Sequence, residues 1–396
     1  MRIQDLVSGA QSPAELFINA VCEQAKSGSG SGLPYALTYA PLAQINPFQR
    51  LLYCRAAQAG YAIVPAVHFA DLASVNWQGR SVIHLHWLAS VLAGSETQEE
   101  THERLSAFEQ ELVRWHHAGH KILWTLHNVL PHNTRFPEAE IALRRLLVAH
   151  SDAIHILSDQ SVEEARKYYD VPDEKVFFVP HPTYEGWYSN VGDVSAARLD
   201  LGIEPHDFTF LNFGALQPYK GVLRLVEAFQ ALKQRYPLKR FRLIIAGNPA
   251  DKEYVGKILH AVADVPEIRV IQSVMQEKEI QTLFNAADVL VAPYIKTLNS
   301  GVSLLAATFR KPLVAPNVAG VAQTFANDGG LLYSDSKGDH LLDAMERSLT
   351  YRIDDSVFDQ ILNDYRPARI SALFFEALTQ KLFTCQLESP EATHHD

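Results

Sequence analysis

Residues 213 to 229 read FGALQPYKGVLRLVEAF, and the fold turns on how this stretch is divided. Upstream, Phe208 to Gly214 (FTFLNFG) is short, apolar and rich in aromatic residues, the composition of a buried core strand. Beyond Gly221, apolar residues at Val222, Leu225, Val226, Phe229 and Leu232 fall on one stripe of a helix. Lys220 and Gly221 therefore stand where a strand hands over to a helix. At such corners α/β proteins hold anions, because free backbone N–H groups and the positive end of the helix dipole both point outward. The same residues also read as a plain strand-turn-helix corner with a solvated lysine, and only the surrounding pattern separates the two.

Outward from that corner the same rhythm repeats in both directions. Toward the N-terminus, strands are expected at YALTYAP (35–41), AIVPAVHF (62–69), SVIHLHW (81–87), KILWTLHN (121–128), DAIHILS (152–158) and KVFFVPHP (175–182). Helices are expected from about Pro47 to Gly60, through Leu105, Phe108, Leu112 and Trp115 to Gly119, and over 137–150 and 160–169. After the polar stretch 183–207 the rhythm restarts with FTFLNFG, FRLIIAG, IRVIQSV, VLVAPY, PLVAP and GLLYS, separated by helices at 221–236, 252–263, 277–286 and 301–310. Strand and helix in alternation mean mostly parallel sheets covered on both faces. The chain is thus α/β, with two doubly wound Rossmann-like domains at 34–190 and 205–365 and a linker at 191–204. Residues 1–33, ending in the low-complexity KSGSGSG, form an appendage. In 366–396 the pattern RISALFFEALTQKLF is a helix that packs back across one of the domains, followed by a tail. Two such domains in series are expected to face each other across a cleft at the carboxyl ends of their strands, the default place for a ligand.

The bulk numbers narrow the function. At 396 residues the chain has room for two domains, and its net charge of -10 argues against broad neutralisation of nucleic-acid phosphates. Cys22, Cys54 and Cys385 are far apart, which points to a reducing compartment and away from a disulfide framework or a zinc site. No run approaches the ~18 apolar residues of a membrane span and the N-terminal stretch lacks a signal peptide's apolar segment, so a cytoplasmic protein is expected.

Four segments in order, FGALQPYKG (213–221), LIIAGNP (243–249), VMQEKEIQTLFNAADVLVAPY (274–294) and NSGVSLLAATFRKPLVAPNVAG (299–320), resemble the glycosyltransferases of the two-domain GT-B fold, especially the family-4 group. The resemblance spans about residues 34–384 and is strongest over 209–320. It implies that the C-terminal domain binds a nucleotide-sugar donor and the N-terminal domain the acceptor. Residue by residue, it implies that Gly214 and Gly221 let backbone approach a diphosphate, and that Lys220 stabilises the charge growing on the leaving nucleoside diphosphate. Gly247 and Asn248 match the turn beside the nucleotide, Val274 and Met275 the loop beside its base, and Asn299, Ser300, Gly301 and Ser303 a second anion clamp at a helix start. Ser300 also reads as a simple N-cap.

Two departures mark a divergent branch. Ala215 stands where the pattern has an arginine, and the family's paired glutamates have no counterpart: no acid occurs from Ile295 to Val318. The phrase SGVSLLAATFRKPLVAP resembles the bacterial exopolysaccharide mannosyltransferases that make β linkages. If the reaction inverts, a histidine base is expected to take the acceptor's proton. His127, at a strand end, ranks first and His86 second, while His84 and His132 are further candidates and His155 reads as core. Asn46, Gln49, Arg50 and His132 are the expected acceptor contacts, and His181, Tyr184 and Tyr188 the expected hinge lining. The helix EIALRRLLVAH carries Arg144 and Arg145 opposite its apolar side, a candidate contact with a membrane surface, though its composition favours a core helix with two exposed arginines. No metal and no cofactor beyond the donor are expected. The donor is read as GDP-mannose first and a UDP-sugar second, the acceptor as a saccharide or lipid-linked saccharide. The rivals are a non-catalytic nucleotide-sugar-binding subunit and an epimerase or hydrolase of the same fold.

Overall fold

The apolar runs form two six-stranded parallel sheets, seen in a computed structural model that describes residues 13–26, 33–72, 77–131, 134–295, 297–298, 301–325, 331–334 and 340–384. Met1–His181 with Pro367–Asp396 make one domain and Pro182–Arg366 the other. The first holds α1 (Pro13–Lys26), β1 (Tyr35–Ala40), α2 (Phe48–Leu52), β2 (Tyr61–Pro65), β3 (Ser81–Leu85), α3 (Ala89–Leu92), α4 (Gln98–His117), β4 (Lys121–Leu126), α5 (Pro137–His150), β5 (Ala153–Ile156), α6 (Ser161–Arg166) and β6 (Val176–Phe178). The second holds α7 (Val194–Asp200), β7 (Phe208–Phe213), α8 (Val222–Arg235), β8 (Phe241–Gly247), α9 (Lys252–Val262), β9 (Ile268–Gln272), α10 (Glu277–Ala286), β10 (Val289–Val291), α11 (Gly301–Thr308), β11 (Leu313–Pro316), α12 (Ala319–Thr324), β12 (Leu332–Tyr333), α13 (Leu341–Ser348) and α14 (Asp355–Asp364). A last helix, α15 (Pro367–Thr379), returns to the first domain.

The sheet of the first domain runs β2-β1-β3-β4-β5-β6. One of its faces packs Leu37, Tyr39, Val82 and Leu123 against Phe48 and Leu52 of α2 and against Ile370, Phe374, Phe375 and Leu378 of α15. Each buried aromatic or aliphatic side chain of α15 contributes roughly 1.5–3 kcal/mol as an upper estimate, which explains why a helix too isolated for its own core docks here. On α4, Thr97 caps the N-terminus by accepting from the Glu100 N–H (3.2 Å), and the expected stripe Leu105, Phe108, Leu112 and Trp115 is buried. The second sheet runs β12-β11-β10-β7-β8-β9, and its core gathers Phe210, Leu243 and Ile245 with Leu225, Phe229 and Leu232 of α8 and Ile258 of α9.

Three expectations are corrected. The helix expected from Pro47 to Gly60 stops at Leu52, because Tyr53 and Ala56 turn inward and Gly60 closes the segment in the left-handed region (φ 81°). The appendage contains α1, whose Ala20 and Val21 pack against Ala36 and Val64. The stretch read as a linker contains α7, which Asp193 caps (Ala196 N–H donating, 2.9 Å) and which packs on α10.

Candidate functional site

In the second domain the chain moves from β7 to β8 and β9 on one side and from β10 to β12 on the other, so the strand order reverses between β7 and β10. Parallel sheets take ligands at the carboxyl ends of strands flanking such a reversal. There β7 ends at Gly214 (φ 128°), a short turn Pro218–Lys220 follows, and Gly221 (φ 69°) starts α8. A Cβ on Gly221 would overlap the carbonyl oxygen of Pro293 just after β10, and one on Gly247 would overlap the carbonyl of Gly214. Glycine is therefore needed at both places to let backbone pack on backbone. The Ile295 N–H donates to Tyr219 O (2.9 Å), which ties the turn to the segment after β10.

Lys220 is the charge of this corner. Its Nζ donates to the Tyr294 hydroxyl (3.2 Å), lies 4.3 Å from the centre of that ring and 5.1 Å from the Tyr219 ring. Burial pushes the amine down, but the Tyr294 and Tyr219 oxygens outweigh it and hold Lys220 above the ordinary lysine range, so it stays an ammonium. The helix end beside it is less open than the sequence implies. Leu223, in the first turn of α8, donates its N–H to the Tyr254 hydroxyl from α9 (3.3 Å), and Gly221 donates to Pro218 O (3.0 Å).

The remaining donor candidates are scattered in role. Asn248 is exposed and its carbonyl accepts from the Leu216 N–H (2.8 Å). Val274 is exposed and Met275 half-buried, just before the reciprocal cap that Gln276 and Glu279 make on α10. Gly301 opens α11 against the Tyr184 hydroxyl, while Ser303 is fully buried, so its hydroxyl is enclosed and not presented as expected. Asn299 and Ser300 lie outside the described residues. Tyr184 and Tyr188 belong to the second domain, their rings 5.6 Å apart, and the Tyr184 N–H donates to Thr308 Oγ1 (3.0 Å).

In the first domain the order reverses between β1 and β3, and the histidines gather at that end. His84 and His86 share one face of β3, as alternation requires, with ring centres 4.1 Å apart. Tyr53, turned in after α2, places its hydroxyl 2.7 Å from His84 Nδ1 and 2.8 Å from His86 Nε2. His84 Nε2 meets Thr125 Oγ1 on β4 (2.6 Å), and the same oxygen meets His155 Nδ1 on β5 (3.0 Å). His155 Nε2 meets the Val179 carbonyl (2.8 Å), while at the other end His86 Nδ1 meets His127 Nε2 (3.1 Å). His127 is half-buried and stacks on Trp87 (4.3 Å, 19°), with the Phe48 ring 5.1 Å away. Burial lowers the pKa of His84, His86, His127 and His155, that of His155 to about 4, and the neighbouring rings lower the first three further. All four are neutral at pH 7.

A pocket of about 110 Å³ opens beside these rings, lined among others by His86, Trp87, His127, Asn128 and Arg144. Arg144 is buried and its Nη1 donates to Glu140 Oε2 (2.7 Å), which corrects its reading as an exposed arginine; Arg145 is exposed. His86, the second candidate base, is 1% exposed and both its nitrogens are engaged by Tyr53 and His127, so it backs His127 and has no nitrogen left for a substrate. Gln49 is also corrected: it is buried, accepts from the Ala43 N–H (2.8 Å) and donates to Pro41 O (2.9 Å), holding the loop after β1. Asn46 accepts from the Phe48 N–H (3.0 Å) and Arg50 donates to Gln44 O (3.3 Å). His181 lies 4.8 Å from Phe48, and His132 falls outside the described residues. Among the described residues no group of three or more His, Cys, Asp or Glu side chains gathers as metal ligands do, and no helix is long and apolar enough to cross a membrane.

Comparison with known proteins adds to this geometry. A family model described as glycosyl transferases group 1 matches residues 207–350, the domain of Lys220. A GDP-mannose:glycolipid 4-beta-D-mannosyltransferase of Xanthomonas campestris pv. campestris is 25% identical over 281 residues, 70% of this chain and 72% of that protein. A D-inositol 3-phosphate glycosyltransferase of Pseudarthrobacter chlorophenolicus is 28% identical over 272 residues, 67% of this chain and 61% of that protein. Among solved structures, Anabaena Alr3699/HepE in complex with UDP and glucose superposes with a TM-score of 0.61 at 13% identity, covering 87% of this chain and 99% of that one. The E. coli trehalose-6-phosphate structure with UDP-2-fluoro glucose bound gives 0.64 at 12% identity, covering 87% and 99%. At such identities the structures speak for the fold, two α/β Rossmann-like domains.

Proposed function

We propose that this chain, a glycosyltransferase of the two-domain GT-B fold, moves a hexose from GDP-mannose, or next from a UDP-sugar, to a saccharide or lipid-linked saccharide in bacterial polysaccharide synthesis. The observation that carries the reading is Lys220, a half-buried ammonium held by Tyr294 at the strand-order reversal of the domain that the family model matches. A glycosyl transfer collects negative charge on the departing diphosphate, and a fixed cation at a partly dry corner stabilises that charge more than it stabilises the intact donor. Lys220 does this work without a metal ion, and no cofactor beyond the donor takes part.

His127 is the general base and the outcome is inversion. As a neutral ring beside an open pocket it accepts the proton of the attacking hydroxyl while the sugar–phosphate bond breaks. The lack of any acid from Ile295 to Val318 supports a branch that handles the sugar without the paired glutamates. The Xanthomonas relative supports mannose as the sugar and a glycolipid as the acceptor. A glycolipid acceptor would bring the enzyme, working in the cytoplasm, to the inner face of the membrane.

The test is a thermal-shift panel of nucleoside diphosphates and nucleotide sugars, followed by a transfer assay. A donor at 100 times its Kd adds ~2.7 kcal/mol of stability. Lys220→Ala removes most of that shift. His127→Asn keeps the shift and lowers turnover by about 100- to 10,000-fold. Binding without transfer to any acceptor would leave a nucleotide-sugar-binding subunit, and turnover of donor alone would leave a hydrolase or epimerase.

A further inference from the structure

From His127 Nε2 inward the hydrogen bonds form a single file with a fixed direction. Its far end is the Val179 carbonyl, which can only accept, so His155 Nε2 carries a proton (2.8 Å). A neutral His155 then has a bare Nδ1, which accepts from the Thr125 hydroxyl (3.0 Å). Having given its proton there, Thr125 Oγ1 accepts from His84 Nε2 (2.6 Å), and His84 Nδ1 is bare. The Tyr53 hydroxyl donates to His84 Nδ1 (2.7 Å) and accepts from His86 Nε2 (2.8 Å). His86 Nδ1 is therefore bare and accepts from His127 Nε2 (3.1 Å). One carbonyl thus sets every proton along six side chains.

We propose that Tyr53, His84, Thr125 and His155, acting through His86, are positioning residues that lock His127 in the tautomer protonated on Nε2, leaving Nδ1 as the nitrogen that accepts a proton. The file is a lock and not a proton wire: relaying a proton inward would reverse every link and leave an imidazolium on His155, which is fully buried, so the charge stays on half-buried His127 beside the pocket. A proton taken up on Nδ1 stays on His127 until solvent or product removes it, with no rearrangement behind it. Trp87, stacked on the ring, fixes the plane in which that nitrogen lies (4.3 Å, 19°).

The consequence for turnover rests on His127 being the base proposed above; the tautomer itself does not, and it is read without substrate. Full-length protein labelled with 15N in its histidine rings is compared by NMR with Thr125→Val and Thr125→Ser. In the native chain His127 shows a protonated Nε2 and an unprotonated Nδ1. Thr125→Val cuts the file from Val179 and leaves the His84 Nε2–H without an acceptor, a costly buried donor. His84 relieves it by moving its proton to Nδ1, which reverses Tyr53, His86 and His127 in turn, so His127 becomes protonated on Nδ1. Thr125→Ser keeps the hydroxyl and restores the native pattern. In the transfer assay Thr125→Val loses at least ~100-fold in kcat with the donor KM unchanged, toward the ~10,000-fold that a wrong tautomer costs a serine-protease triad. Tyr53→Phe breaks the file at a second point and gives the same reversal should Thr125→Val fail to fold. A native His127 protonated on Nδ1, or an unchanged tautomer in the folded variant, overturns the proposal. A tautomer that reverses as described in a protein without transfer activity would leave the lock standing and remove the glycosyltransferase reading.

Discussion

The two strand-order reversals of this molecule do polar work with opposite materials. In the second domain the corner between β7 and β10 is made of backbone: Gly214, Gly221 and Gly247 let segments touch, and one ammonium, Lys220, supplies the charge. In the first domain the corresponding end is made of side chains, and its four linked imidazoles are neutral at pH 7, because burial and mutual repulsion lower their pKa together. The difference fits the chemistry proposed for each. A diphosphate brings two or more negative charges and asks for a cation, whereas a sugar hydroxyl is neutral and asks for a lone pair held in the right direction. A charged imidazolium is useless as a base, so burial that keeps protons off the four rings fits the role proposed for His127.

Acid should break the comparison most strongly. An unfolded histidine takes up a proton below about pH 6.5, while the folded rings resist it to lower pH. The unfolded state therefore binds more protons as pH falls from about 6.5 toward the folded values, and stability that is complete above that range is lost on acidification. For His155, held at about 4, the loss comes to about 3 kcal/mol once both transitions are passed, and His84, His86 and His127 add to it in the same direction. The buried polar residues described in the second domain include no histidine. Hydrogen exchange followed by mass spectrometry between about pH 7 and pH 5, with rates corrected for pH, should show protection lost in 81–86 and 121–127 while 208–213 keeps its own. Loss in the second domain first would contradict the assigned difference.

A pair of glycines sharpens the comparison at intermediate energy. Gly60 (φ 81°) and Gly221 (φ 69°) both sit in the left-handed region, one in each domain. A Cβ on Gly60 meets nothing within 4 Å, so Gly60→Ala costs only the left-handed backbone term, about 1–2 kcal/mol. Gly221→Ala adds the overlap with the Pro293 carbonyl, backbone that cannot swing aside, and the total rises to roughly 3 kcal/mol or more. Denaturant unfolding of the two variants measures the gap. Gly221→Ala should also blunt the nucleotide-induced thermal shift, since it moves the turn that carries Lys220. Equal costs at the two positions would mean that the second-domain corner is looser than its contacts indicate.

Much of this was legible in the sequence, for reasons that particular residues show. The strands announced themselves because buried parallel strands are nearly continuous apolar runs, and Lys220 stood out because Gly221 separates a strand from a helical stripe. His127 was visible as a strand end. The file behind it was not: His84, Thr125 and His155 lie on three adjacent strands, and only the register brings Thr125 opposite His155. Tyr53 was hidden because an aromatic residue after FQRLL reads as one more apolar position of a longer helix. Tyr294 and Tyr254 were hidden for a similar reason, since a hydroxyl 74 residues from the lysine it meets, or 31 from the helix end it caps, leaves no local pattern. The helices α3, α7, α12, α13 and α14 went unread, as did α1: segments this short carry little periodic signal and take their stability from tertiary packing, α7 on α10 and α14 on α11.

The smallest effect separates the two readings of one residue. From sequence, Asn46 is an acceptor contact at the mouth of the first domain; in the structure its side-chain oxygen accepts from the Phe48 N–H two residues on (3.0 Å), a local turn that leads into α2. The side chain is exposed, so the bond competes with water and its loss is modest. Asn46→Ala should cost about 0.5–1 kcal/mol of stability in denaturant unfolding. Because α2 carries Phe48, which packs against His127 and His181, a badly frayed turn would also disturb the proposed base, and kcat would fall. Phe48 and Leu52 are fully buried and hold the helix without the turn, so kcat should stay within about a factor of two. A rise in the acceptor KM with kcat and stability unchanged would restore Asn46 to the acceptor site and show that the first domain, too, uses residues that its fold does not need.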